Sequence, residues 1–233
     1  MSSFGITINE KHSFKDFKLT IKNKKIGIPK KKKIKESLPY MNGSYDFTAL
    51  YGEPTYDDRE LEYSFNVIGE NKFDLNSKKM KILEWLTEKN TFDLFDDTLP
   101  EYYFKSTIEE LDFNEQGNTG ELNLKLSCYP FKICKNLEGN DVWDIFNFES
   151  DFAQSNKFNI QYETKINLFN CSSINVVPTI VASSNFTIVK DDFEFKINPG
   201  ITTDWRFYLN KGDNPLIING VGEIEFKFRK EVL

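Results

Sequence analysis

Histidine is nearly missing from this 233-residue chain, with His12 the only one, and cysteine occurs three times, as Cys128, Cys134 and Cys171. One imidazole and three thiols are too few soft ligands for a zinc site, so no metal or cofactor is expected. An odd thiol count does not suit a disulfide framework, and the cysteines read as buried free thiols. The apolar stretches are short and interrupted by charge, which excludes a bilayer-spanning helix and predicts no membrane contact. The opening MSSFGITINEKHSF has no basic segment followed by an apolar one, so secretion by a signal peptide is not expected. No Gly-x-Ser-x-Gly elbow and no phosphate-cradling glycine loop before a helix can be found. Asp57-Asp58, Asp96-Asp97 and Asp191-Asp192 are adjacent carboxylates, but neighbours in an extended chain face opposite ways and cannot share a proton or an ion. A glycosidase needs two carboxylates about 5–9.5 Å apart, and 36 acidic residues offer no way to choose them. The sequence therefore names no catalytic residue, and an enzyme is not expected.

Aromatic residues are abundant, with 22 Phe and 10 Tyr, which favours strands. Phe4, Ile6 and Ile8 alternate, as do Phe17, Leu19 and Ile21, predicting two opening strands around a polar turn at Asn9–His12. Leu61, Tyr63, Phe65 and Val67 lie on one face of a third. Further strands are predicted at 91–95, 101–111 and 120–128. One helix is predicted over about 78–89, capped by Asn76 or Ser77, with Met80, Ile82, Leu83 and Leu86 apolar on one side and Trp85 as packing. Its expected role is to cover one face of a sheet. Beyond Cys128-Tyr129-Pro130-Phe131 the pattern is strands alone: Phe158 to Leu168 alternates throughout, followed by short segments at 176–181, 186–189, 193–197, 205–209, 216–218 and 224–228. Such spacing means an antiparallel sandwich. The expected fold is mainly β, with domains at 1–131 and 132–233.

Charge is unevenly spread. The net value is -6, yet residues 1–35 hold eleven lysines against Glu10 and Asp16. The string from Pro29 through Lys30, Lys31, Lys32 and Lys33 to Lys35 would pass for a nucleic-acid patch in a pattern search. No aromatics interleave it and the chain as a whole is acidic, so a basic loop is the better reading. Such asymmetry concerns partners. It suits head-to-tail contact between copies and equally a solvated face.

Three strings carry a resemblance: LPYMNGSYDF with its Asn42-Gly43 turn, YGEPTYDDRELEYSF, and LEWL from Leu83 to Leu86. Pro178-x-Ile180, then Gly212-Asp213-Asn214-Pro215-Leu216, then Gly220-Val221-Gly222-Glu223-Ile224-Glu225-Phe226-Lys227-Phe228-Arg229 follow in order. Together they resemble the distal tail protein family of siphophages and prophage tails across the whole chain. Each string is weakly specific, and their shared order carries the likeness. Pro215 departs from the pattern and is expected to place its strand at an edge. The resemblance implies a first, ring-forming β domain with one helix and a second, galectin-like sandwich. It implies a homo-oligomeric ring, usually of six copies, at the distal end of a virion tail and made in the cytoplasm of the host bacterium. The implied partners are the tail-tube protein, the tail-tip or tail-associated lysin protein, the tape-measure protein and receptor-binding proteins. DNA would pass through without specific binding.

Under that implication the candidate subunit or partner interface is Lys30, Lys31, Lys32, Lys33, Tyr40, Asn42, Tyr45, Asp57, Asp58 and Arg59. Two alternatives stay open: a glycan-binding tail accessory or adhesin, and the equivalent part of a phage-tail-like bacteriocin. For the first, Trp143 and Trp205 are the residues able to stack on sugar, with Arg206 beside the second. The ordered Arg, Asn, Trp and Glu set of sugar-binding galectins is not recognisable, so both tryptophans are expected to pack in the core, Trp143 being the more exposed.

Overall fold

The computed structural model describes residues 4–40, 42–48, 54–139 and 153–233. The chain is mainly β and antiparallel and divides into two compact units, Met1–Lys132 with Leu233, and Ile133–Val232.

In unit 1 the strands are β1 (Ile6–Ile8), β2 (Lys11–His12), β3 (Thr20–Ile26), β4 (Lys35–Glu36), β5 (Tyr45–Asp46), β6 (Arg59–Ile68), β7 (Thr91–Asp96), β8 (Tyr102–Gln116) and β9 (Thr119–Cys128). Seven of them form one antiparallel path, β2-β1-β7-β8-β9-β6-β3. Alternation fixes the faces as expected: Leu61, Tyr63, Phe65 and Val67 of β6 and Leu122, Leu124 and Leu126 of β9 all enter one core. The sheet curls. Asp96 ends β7 and Lys24 belongs to β3, with three strands between them along the path, yet their side chains meet at 2.6 Å. Tyr63 of β6 donates its hydroxyl proton to the same carboxylate at 2.7 Å, and Thr98 donates from its backbone and its hydroxyl at 2.9 and 2.7 Å.

Two helices cover this core rather than the single one expected. The first, α1 (Ser13–Phe17), follows the predicted polar turn and takes in Phe17, the first residue of the second predicted strand. The His12 ring caps it, Nδ1 accepting from the Phe14 and Lys15 amides at 3.1 and 3.0 Å, while Nε2 faces Asp97 at 2.9 Å. Lys18, left-handed at φ 58°, ends it. The second, α2 (Lys72–Thr87), starts six residues before the predicted position. Its cap is Asn71, accepting from Phe73 and Asp74, while Asp74 accepts from Glu70 in return. Leu75, Ile82, Trp85 and Leu86 are its buried stripe; Met80, expected inside, is exposed. Trp85 is a packing residue, as expected: it stacks on Phe17 at 4.5 Å and donates to the Ile8 carbonyl at 2.8 Å. Cys128 is a buried free thiol, its pKa pushed up to about 11 by burial, while Cys134 and Cys171 are half-buried.

Unit 2 holds β10 (Lys132–Cys134), β11 (Lys157–Asn170), β12 (Thr179–Ala182), β13 (Phe186–Lys190), β14 (Phe193–Ile197), β15 (Gly200–Thr202), β16 (Gly212–Lys227) and β17 (Glu231–Val232). Strand β10 pairs with β17, and the main sheet runs β14-β13-β16-β12-β15 with β11 along β16. Pro215 does not make β16 an edge; it is the central strand. The missing donor is tolerated because pairing with β13 stops at Ile217, leaving Pro215 flanked by β11 alone. Strand β16 changes neighbour at its middle: Ile217–Gly220 pair with β13, and Ile224–Lys227 with β12. The switch coincides with Gly220 and Gly222, at φ 152° and 134°, and with Tyr162 of β11, directly opposite Gly220, at φ 64°. Both strands therefore turn together and fold the sheet over one core, where Phe186, Ile188 and Ile218 join Ile180, Ile224 and Phe226. The amides of Asn170 and Asn214 are buried and bonded to backbone at both ends, pinning the loops between strands.

Two predictions follow from this packing. Burial alone pushes the Asp96 carboxyl up, but the bonds from Lys24, Tyr63 and Thr98 outweigh it and hold the pKa below the ordinary value. Its stabilisation is thus complete above the unfolded carboxylate pKa of about 3.9 and fades as pH falls through the lower folded value. Replacing it (Asp96→Asn) is expected to lower stability at pH 7 by about 2–3 kcal/mol and to flatten the loss below about pH 4, read by chemical denaturation across pH. In unit 2 a side chain at Gly220 would sit 2.5 Å from the Phe186 ring and 2.9 Å from the Asn185 carbonyl. Gly220→Val is expected to cost about 2–4 kcal/mol, seen as a lower Tm for unit 2 with unit 1 unaffected.

Candidate functional site

Between β3 and β6 the chain leaves the sheet as an arm, whose described residues are 27–40, 42–48 and 54–58. Near the body its two limbs pair through Lys31 and Tyr56, with Lys32 N–H to Thr55 O at 2.9 Å and Asp57 N–H to Lys30 O at 2.8 Å. Farther out the β4–β5 ladder joins Lys35 to Asp46 and Glu36 to Tyr45. The loop between them is longer than the two-residue turn expected at Asn42-Gly43, and includes Tyr40 at φ 67° and Gly43 at φ 90°. Four adjacent lysines and Pro29 keep this segment out of the main sheet.

The root of the arm is fixed. Arg59, expected at a partner interface, is instead 3% exposed. Its Nε donates to the Pro130 carbonyl at 2.9 Å and its Nη1 to the Gly27 carbonyl at 2.8 Å, with the Phe104 ring at 5.8 Å. Strand parity explains the correction: Arg59 shares the inward face with Leu61 and Tyr63. Burial draws its pKa below the ordinary arginine value, which still leaves it charged. Tyr56 packs edge-on against Phe131 at 5.4 Å beside a buried Pro29.

Beyond the root nearly everything is exposed. Lys30, Lys31, Lys32 and Lys33 are solvated and make no ion pair among the described residues, and Asp57 lies beside Lys30. Asp58 is also exposed and accepts from the Ser127 hydroxyl at 3.2 Å. Tyr40, Asn42 and Tyr45 gather at the outer end. The sequence reading missed the apolar company they keep: Ile28, Ile34, Leu38 and Phe47 are exposed too. These residues follow no helix or strand period, and that want of a period within an apolar-rich segment is the signal available in the sequence.

Of the glycan candidates, Trp143 lies outside the described residues. Trp205 is 79% exposed, against the expectation that it packs. The alternation of Trp205, Phe207 and Leu209 is not a strand. Asp204 accepts from the Arg206 amide at 3.0 Å and its carbonyl accepts from Phe207, making a turn that sends Phe207 inward and leaves Trp205 outside.

Among the described residues, no three His, Cys, Asp or Glu side chains form a metal-binding group, and no helix is long and apolar enough to cross a membrane. A cleft of about 600 Å³ opens between β3, β6 and the β8–β9 turn. Lys22 and Glu121, paired at 2.8 Å, both line it.

The family of phage tail proteins with a RIFT-related domain matches residues 6–128, more than half of the chain and nearly all of unit 1. The chain belongs to this phage tail protein family. No curated protein matches it at a significant level. Among solved structures, the Dit protein (gp 19.1) of phage SPP1 is similar over 99% of each chain, with TM-score 0.66 and 13% identity. That protein is described as a paradigm of the hub adsorption apparatus in phages infecting Gram-positive hosts. At this identity the likeness is one of fold, and it extends through both units of this tail protein. Chains of the phage P2 baseplate in its activated conformation, with Ca and with Sr, cover 96% and 97% of this chain and 97% of their own. Their TM-score is 0.41 in both cases, with 9% and 10% identity, too weak a likeness to add to the fold.

Anchoring by Arg59 has a measurable consequence. Arg59→Ala, which leaves the Gly27 and Pro130 carbonyls without their donor, is expected to cost about 2–4 kcal/mol. It is also expected to hasten tryptic cleavage within Lys30–Lys35, whereas Asp58→Asn leaves the cleavage rate unchanged.

Proposed function

We propose that this phage tail protein is a structural hub subunit: copies close into a ring of six that joins the tail tube to the tail tip at the distal end of the virion. The observation that carries the reading is the arm. A two-stranded ribbon exposing Ile28, Ile34, Leu38, Tyr40, Tyr45 and Phe47 together with unpaired lysines buries too little of itself to be stable alone. It finds its missing contacts on another chain. The fold shared with a hub protein supports a second copy as that chain.

Charge supplies a matching surface. On the solvent face of β6 and β8, Glu60, Glu110 and Asp112 are exposed and make no ion pair among the described residues. Lysines from a neighbour's arm suit them, with the arm's apolar side chains sealing the contact. Rim charges of this kind set association rate and register more than affinity. One face of the ring then receives the tail-tube protein and the tape-measure protein. The other holds the tail-tip or tail-associated lysin protein and the receptor-binding proteins. DNA crosses the lumen without specific binding, and an acidic wall repels its phosphates and lets it slide. In this reading the protein is a scaffold without catalytic chemistry. The same parts would serve a bacteriocin that carries no genome.

The test is mass by light scattering with negative-stain imaging, for the chain alone and mixed with its tail-tube protein. Closed rings are expected in at least one condition, and monomers in both would end the ring reading. Reversing Lys31, Lys32 and Lys33 to Glu is expected to leave a folded chain that no longer assembles, and wild-type assembly is expected to weaken as salt rises. Assembly indifferent to both treatments would remove the arm from the contact.

A further inference from the structure

We infer that the turn at Asp204–Phe207 in unit 2 is a binding platform for neutral, pyranose-containing oligosaccharides, with the Trp205 indole as its floor. A lone exposed tryptophan is ordinarily costly, since a large apolar face stays in water. Here the backbone that carries it is fixed, and an Asp–Arg pair flanks it in the chain.

Rigidity comes from beneath. Phe207 is buried, edge-on to Phe195 at 5.1 Å and stacked on Phe226 at 6.2 Å. Its amide closes the turn on the Asp204 carbonyl at 3.0 Å. Two residues later, Leu209 exchanges backbone bonds with Val176 at 2.8 and 3.0 Å. A ligand meeting Trp205 therefore need not order the backbone that carries it, and avoiding that ordering cost favours binding.

The polar edge comes from the flanking residues. Asp204 holds Arg206 in a fork: Nε lies 3.1 Å from both carboxylate oxygens and Nη2 lies 2.6 Å from Oδ2. The guanidinium raises no barrier to this pairing, and it holds the Asp204 carboxyl down at about 2. Nη1 has no acceptor among the described residues and remains available. The hydroxyls of Thr179, which begins β12, and of Thr203, just after β15, sit 3.1 Å apart, Thr203 being the second residue before Trp205. Fixed donors and acceptors beside an aromatic face are what a pyranose requires. Its axial C–H groups lie on the ring while vicinal hydroxyls bond to the edge. Because Asp204 and Arg206 neutralise one another, the platform has no excess charge with which to hold a polyanion. That balance favours neutral sugars over phosphate-bearing polymers.

One platform of this size gives weak affinity per copy, and several copies in one assembly multiply it through effective concentration. The inference does not depend on ring formation: a monomer that fails to assemble still binds sugar.

Titration of the full chain with neutral oligosaccharides of galactose, glucose and N-acetylglucosamine tests it, followed by tryptophan fluorescence and ligand-observed NMR. A phosphorylated glycan serves as the polyanion control. Saturable binding to at least one neutral sugar is expected, weakened about tenfold or more by Trp205→Ala and several-fold by Arg206→Ala, but largely kept by Trp205→Phe. Unchanged thermal midpoints in all three variants are expected, since these side chains are exposed. No saturable binding across the neutral series overturns the inference. Binding that survives Trp205→Ala, or that is confined to the phosphorylated glycan, overturns it equally.

Discussion

A buried carboxylate holds unit 1 closed. Asp96 ends one strand and gathers Lys24, Tyr63 and Thr98, so that strands far apart along a single sheet meet around one core. A twisted antiparallel sheet curls by itself, but twist alone does not decide where the curl stops. The pairing at Asp96 does, since a carboxylate 2% exposed is tolerable only while every donor is in place. Burial also makes Tyr63 a firm partner, because desolvation and then the neighbouring charge drive the phenol's pKa upward and keep it a donor. The helices depend on the same closure. Trp85 reaches the Ile8 carbonyl only because β1 has been carried round with β7.

Unit 2 closes its sheet by a different device. Its β11–β16 ladder carries an exposed ion pair, Lys157 to Glu223 at 2.9 Å, but what folds the sheet is the backbone bend at Gly220, Gly222 and Tyr162, with apolar burial behind it. The contrast bears on robustness. An ion-paired closure is sensitive to pH and to loss of one partner. A glycine hinge is sensitive to any side chain placed there, and it is indifferent to pH.

Much of this was legible in the residues because period-2 alternation is a direct statement about which face is wet. Strands β6, β9 and β11 could be read that way, and the strand-only second half implied a sandwich. What stayed hidden depended on single side chains reaching backbone. Nothing in Lys11-His12-Ser13 announces that an imidazole will serve as a helix cap, so α1 was missed and its last residue, Phe17, was assigned to a strand. Asn76 and Ser77 were plausible caps, but Asn71 won, its side chain accepting from the Phe73 and Asp74 amides while Asp74 accepts from the Glu70 amide. Trp205 followed the alternation of Phe207 and Leu209, and one aspartate turned it outward. Arg59 went wrong in the opposite sense. Its charge suggested the surface, while its parity with Leu61 and Tyr63 already placed it inside. Parity was the stronger cue, because an inward arginine is affordable wherever two backbone carbonyls wait for it.

That arginine also explains how an arm with so little support of its own keeps a defined direction. An exposed ion pair at the root would hold it weakly, since such pairs contribute at most about 1 kcal/mol. Two charge-assisted bonds to backbone carbonyls, with Tyr56 packed on Phe131 next to Pro130, fix the first residues far more firmly. The lysines and apolar side chains farther out are left unsatisfied. A segment rigid where it leaves the body and unsatisfied where it ends loses little entropy when it docks and gains most of its burial there. The division of the arm into an arginine-held base and an exposed, apolar-rich outer ribbon is therefore the physical reason for proposing it as half of an interface, completed by a second chain.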